Sequence, residues 1–230
     1  MLHLDPADYK GSGANCFHGS NTVSMESGET KPMSELKPGD SVLTMKEDGS
    51  LVFSPVVLDY HHAPQQMATF RTIRTSRGHN LTLTPNHLVF VSNDNDENKE
   101  LMKGSSLQSV FASNVKIGDH VLVKSGNEIV GDEVVDTTEE TLIGFYSPLT
   151  LEGTIVVENI IASCYSSIEN HKLAHIAFAP FRWFHYGRNL FSKMDQKQPK
   201  KVDFGNDWQH WYADGLEAMA ENLFPEKMNW

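Results

Sequence analysis

Residues 13–23 read GANCFHGSNTV and residues 81–91 read LTLTPNHLVFV. The first stretch carries Cys16, one of two cysteines in the chain. The second alternates apolar and polar residues, the pattern of a half-buried strand, and places Thr84 and His87 in a T-x-x-H spacing. A cysteine has a chemical option that few residues have. Its sulfur reaches the carbonyl of the preceding residue through a five-membered ring, so attack on the Asn15–Cys16 bond is intramolecular and orientation is nearly free. A free thiol has a pKa of ~8.5 and is only partly ionised at neutral pH, yet it remains a strong nucleophile. The product is a thioester in place of an amide, which is uphill. His87 is the natural proton donor to the departing nitrogen, and Thr84 a natural donor to the strained carbonyl or amide. One oxyanion contact contributes ~3 kcal/mol, and local backbone strain ~1–3 kcal/mol. The pattern points to a domain that processes its own chain.

The rhythm around these stretches predicts an all-β body. SVLTM (41–45) runs into a hairpin-type turn at Asp48-Gly49. LVFSPVVLDY (51–60) is rich in branched apolar residues, and FRTIRTS (70–76) alternates before Gly78. A faint duplication runs through the chain. SELKPGDSVLTM (34–45) echoes SNVKIGDHVLVK (113–124), and residues 72–91 echo residues 146–164 less closely. Two similar β-units related by a pseudo-two-fold axis would bring residue 16 to residues 84 and 87.

These blocks carry a resemblance. CFHGSNTV (16–23), SELKPGDSVL (34–43), TPNHLVFV (84–91), FYSPLTLEGTIVVENIIASCYSSI (145–168) and AHIAFAPFR (174–182) resemble, in order, the C-terminal autoprocessing domain of Hedgehog proteins. That domain belongs to the Hint superfamily, which inteins share. The resemblance covers nearly all of residues 14–230. It implies a mostly β Hint horseshoe over residues 16–166, followed by a small helical tail over 167–230. Residues 1–15 are expected to be the remnant of a larger upstream protein or an added segment. The implied activity is a single-turnover, cysteine-dependent autoprotease and cholesterol transferase. The upstream signalling fragment leaves in cis, through an internal thioester, as a cholesterol ester.

A sterol hydroxyl needs a general base. In the family an Asp fills this role. A gapless count puts His61 at its position, with Asp59 two residues earlier on the same strand face as the alternative. Asn15 stands where Hedgehog proteins usually have Gly. The chain ends Lys227-Met228-Asn229-Trp230, without the His-Asn-nucleophile junction that splicing needs. Two other readings stay open. The thioester could be resolved by water, a thiol or another lipid alcohol, or the chain could be a non-catalytic β-module with a membrane-binding aromatic helix.

The formal charge of −11 argues against non-specific nucleic-acid binding. No apolar run is long enough to span a bilayer, and no signal-peptide pattern stands at Met1. The resemblance implies the secretory pathway (endoplasmic reticulum) or the extracellular space. Two cysteines make no disulfide framework. Cys164 is either a buried core thiol or a redox partner for Cys16. All four tryptophans lie after Pro180. Trp208, Trp211, Tyr212 and Leu216 share helical spacing and resemble part of a sterol recognition region. The bland alternative is a helix packed on the β-domain. His171 and His175 lie at i and i+4 but lack a third ligand, so no metal is expected. No cofactor is expected either; cholesterol enters as co-substrate, and a membrane surface as partner of the tail.

Overall fold

The computed structural model describes residues 15–92 and 108–165. The expected helical tail, with Trp208, Trp211, Tyr212, Leu216, His171 and His175, lies outside the described residues, as does the chain up to residue 14. Every regular element among the described residues is a strand or a short 3-10 turn. Strands β1 (Phe17–His18), β2 (Thr22–Ser24) and β3 (Thr30–Pro32) lead through a 3-10 turn at Met33–Glu35 to β4 (Ser41–Met45). Next come β5 (Leu51–Thr75), β6 (Asn80–Leu83), β7 (Leu88–Ser92) and β8 (Gln108–Phe111). A second 3-10 turn at Ala112–Asn114 opens onto β9 (His120–Ser125), β10 (Glu128–Thr150), β11 (Thr154–Val157) and β12 (Ile160–Ser163). Hydrogen bonds link them in the order β3-β2-β11-β12-β7-β9-β10-β1-β6-β5-β4, with β8 on β7 and further ladders β12–β9 and β10–β5.

The duplication expected from sequence is repeated bond by bond. In the first unit the Lys37 N–H donates to Asp40 Oδ2 at 2.8 Å; in the second the Lys116 N–H donates to Asp119 Oδ2 at 2.8 Å. Gly39 and Gly118 hold φ of 98° and 92°, where a side chain would be strained. Their N–H groups donate to the carbonyls of Val56 and Val134, both at 2.8 Å. The Gly-Asp pair in each echo is therefore a turn that docks on the long strand following it. Those two long strands, β5 and β10, then pair with each other antiparallel.

The runs at 51–60 and 70–75 are parts of a single strand, β5, which passes through Ala63-Pro64. Proline normally breaks a ladder because it has no N–H to donate. Here the ladder with β10 shifts register between Ile143 and Phe145, next to Pro64. The missing donor falls where the pairing is already irregular, and the strand continues.

Burial follows the pleat. Leu81 and Leu83 of β6 are wholly buried while Asn80 and Thr82, which alternate with them, are not, as a period of two requires. β7 is buried throughout. The main core joins Phe17, Ile73, Leu81, Leu83, Ile155 and Ile160. Each fully buried side chain of this kind contributes ~1.5–3 kcal/mol. A small separate cluster of Cys16, Phe70 and Phe145 encloses the thiol.

Candidate active site

The T-x-x-H pair is not on a strand. Thr84 follows β6, His87 precedes β7, and Pro85-Asn86 is the turn between. The His87 N–H donates to the Thr84 carbonyl at 3.0 Å, closing a four-residue turn with Pro in its favoured second position. The spacing T-x-x-H is thus the span of one β-turn. It sends both side chains toward the start of β1.

Thr84 grips Cys16 twice. The Cys16 N–H donates to Thr84 Oγ1 at 2.9 Å, and the Thr84 N–H donates to the Cys16 carbonyl at 2.9 Å. The hydroxyl therefore accepts the N–H of the Asn15–Cys16 peptide, the reverse of the donor role expected from sequence. His87 is 1% exposed and its ring lies 4.1 Å from that of Phe17, centroid to centroid. Its Nε2 lies 2.8 Å from the Ser163 carbonyl oxygen. A carbonyl only accepts, so Nε2 carries the proton and Nδ1 of the neutral ring is a lone pair. Nδ1 makes no hydrogen bond among the described residues.

The electrostatics follow from burial. Desolvation pushes the Cys16 thiol far above its ordinary range, and the Asp59 charge adds to the rise. Desolvation lowers His87 to about 4. The Ser163 carbonyl, then the backbone of Asn15 and Cys16, act against that fall without overcoming it. The ring is neutral at pH 7, and its spare nitrogen is left for the Asn15–Cys16 peptide.

This has a consequence for acid stability. The His87 ring titrates at 6.5 when solvated and at about 4 when folded, so the unfolded chain takes up the proton first. Stability from the neutral ring is complete above pH 6.5 and is lost as the pH falls toward 4, about 3 kcal/mol in all. Urea unfolding of the uncleavable Cys16→Ala chain at pH 7 and pH 4 measures it. Adding His87→Gln is expected to shrink the acid loss by about that amount.

The remaining candidates lie close by. The His61 ring stands 4.5 Å from Tyr60 and 6.3 Å from Phe145. Asp59 Oδ2 lies 2.7 Å from His62 Nδ1. Both cysteines are free, so no disulfide joins Cys16 to Cys164. Burial raises Cys164 to about 11, against the opposing pull of Thr150, whose Oγ1 lies 3.7 Å from its sulfur. One contributor is invisible in the sequence. The Ser163 carbonyl is backbone, and no residue type announces it.

A family model described as the Hint module matches residues 6–225. The chain belongs to the Hint module family. Among its relatives, Tiggy-winkle hedgehog protein of Danio rerio is 39% identical over 207 residues, covering 87% of this chain and 47% of that protein. Protein hedgehog of Drosophila virilis is 34% identical over 220 residues, covering 92% of this chain and 44% of that one. This Hint chain therefore spans about half the length of the hedgehog proteins it matches. Among solved structures, a DnaB intein from Synechocystis covers 67% of the chain at a TM-score of 0.54 and 17% identity. The Ssp DnaB mini-intein variant M86 covers 74% at a TM-score of 0.53 and 18% identity. At those identities the inteins share the Hint fold. Family membership supports self-processing as the general class of activity.

Proposed function

We propose that the chain cleaves itself before Cys16 and passes the upstream residues to cholesterol. The observation that carries this reading is the grip on the Asn15–Cys16 peptide. Thr84 holds both sides of Cys16, while the unbonded Nδ1 of a neutral His87 stands by the same backbone. In the first step Sγ attacks the Asn15 carbonyl carbon and the carbon–nitrogen bond breaks. The thiol proton passes to His87 Nδ1 and from there to the departing nitrogen. Without that relay the thiol would stay protonated, given its burial beside Asp59. Thr84 Oγ1, already bonded to the peptide N–H, strengthens its hold as the nitrogen becomes an amine.

In the second step an acceptor hydroxyl attacks the thioester carbonyl and Cys16 leaves. The sequence blocks shared with hedgehog relatives support cholesterol as that acceptor. The same kinship supports a sterol-binding tail and the secretory pathway.

Dithiothreitol tests the first step, because a thiol resolves any thioester. The folded chain is expected to release residues 1–15, and Cys16→Ala none, as read by mass spectrometry. Adding cholesterol is expected to give the released peptide the mass of a sterol ester. Dithiothreitol cleavage without sterol transfer would leave water or another lipid alcohol as acceptor. No cleavage of the folded chain would leave an inert β-module.

A further inference from the structure

The residue that bears the scissile carbonyl also carries a nucleophile of its own. Resting on the thioester reading above, we propose that the Asn15 side-chain amide displaces Cys16 from the thioester, so that the upstream residues leave as a C-terminal cyclic imide when no outside acceptor is supplied.

Asn15 is 3% exposed and Cys16 is wholly buried. Phe70 and Phe145 close over the thiol, and Ala63, Ala68 and Leu142 pack against them. Any acceptor from solvent must be admitted through this apolar cover. The Asn15 carboxamide is already inside it. Its Oδ1 is buried and makes no hydrogen bond among the described residues. A buried polar atom without a partner is costly and calls for an explanation. A hydrogen bond to Oδ1 would pin the plane of the carboxamide. Without one, the group can turn about its Cβ–Cγ bond and bring Nδ2 to the carbonyl carbon of the same residue.

The ring that closes has five members: Nδ2, the carbonyl carbon, Cα, Cβ and Cγ of Asn15. An amide nitrogen is a weak nucleophile. A thioester is a far better acyl donor than an amide, so cyclisation waits until the sulfur has attacked. Proximity supplies the rest, because well-oriented intramolecular reactions reach effective concentrations of ~10⁵–10⁸ M. The geometry belongs to asparagine. Glutamine would need a six-membered ring with one more rotor to freeze, and glycine has no nucleophile to offer.

The proton has a place to go. Once the first step has passed its proton to the departing nitrogen, His87 is neutral again, with Nδ1 unbonded beside the Asn15 and Cys16 backbone. Nδ2 then bonds to the Asn15 carbonyl carbon and gives one proton to His87 Nδ1. The carbon–sulfur bond breaks, and its electron pair leaves with Sγ. The thiolate takes the proton back from His87 and ends as a neutral thiol. Residues 1–15 end in a succinimide, and the remaining chain begins with the free Cys16 amine. No further reactant enters.

The test is the mass and isomer composition of the peptide released from the folded chain at pH 7, with neither thiol nor sterol added. Residues 1–15 are expected one water lighter than the free acid. Mild alkali is expected to open the imide at either carbonyl. It then gives C-terminal asparagine together with its isomer, aspartic acid α-amide, which hydrolysis of a thioester does not produce. Dithiothreitol is expected to lower the imide fraction as it captures the thioester, and Asn15→Gln to lower it at least ~10-fold. Release as the free acid alone, or only when dithiothreitol is added, would overturn the proposal. So would an imide fraction that dithiothreitol leaves unchanged or that survives in Cys16→Ala, because the imide would then form without the thioester. Absence of release even with dithiothreitol would instead overturn the thioester reading beneath it.

Discussion

His87→Ala is expected to slow dithiothreitol-dependent release of residues 1–15 by a hundredfold to ten-thousandfold, the range for removal of a proton-transfer group. The size follows from how little else can replace the ring. Its Nε2–H is bonded to the Ser163 carbonyl, which leaves Nδ1 as its only free nitrogen. The thiol, raised by burial, cannot ionise unaided. Removing a side chain that is 1% exposed also opens a cavity, so far-ultraviolet circular dichroism must show a folded variant. Millimolar imidazole diffusing into the gap is expected to restore part of the rate. Rescue separates a lost proton relay from a damaged fold.

The second large effect is expected at Thr84. Thr84→Val keeps the shape and removes Oγ1, the acceptor of the Cys16 N–H. The N–H is then buried without a partner, at a cost of about 1–3 kcal/mol in unfolding free energy. Cleavage by dithiothreitol is expected to slow by about a hundredfold, because the developing amine loses its nearest acceptor. The Thr84 N–H to the Cys16 carbonyl is backbone and survives the substitution. Thr84→Ser restores the acceptor and is expected to recover most of the rate. A rate equal to wild type in Thr84→Val would make the hydroxyl structural.

What the sequence disclosed depends on which atoms carry each contact. That Cys16, Thr84 and His87 meet was legible because their side chains suit the proposed chemistry and one turn spaces the last two. The Gly-Asp echoes were legible because Gly39 and Gly118 need a positive φ and Asp40 and Asp119 cap the same turn. The continuity of β5 was hidden because Pro64 reads as a stop, and only the register shift in its partner strand excuses it. Alternation puts residues 59 and 62 on opposite faces of a regular strand. The Asp59–His62 contact spans an odd interval, beside a second register shift between Tyr146 and Pro148. Local irregularity of this kind comes from the partner strand and leaves no mark in the residues concerned.

The carbonyl that aims His87 belongs to Ser163, the final residue of β12. A ribosome delivers that atom almost one hundred and fifty codons after the bond proposed to break. Until then the imidazole has no anchor, and the nascent chain carries its cleavage point intact. Completion of β12 would act as the release catch: the upstream residues stay attached until the strand that aims the imidazole has been made.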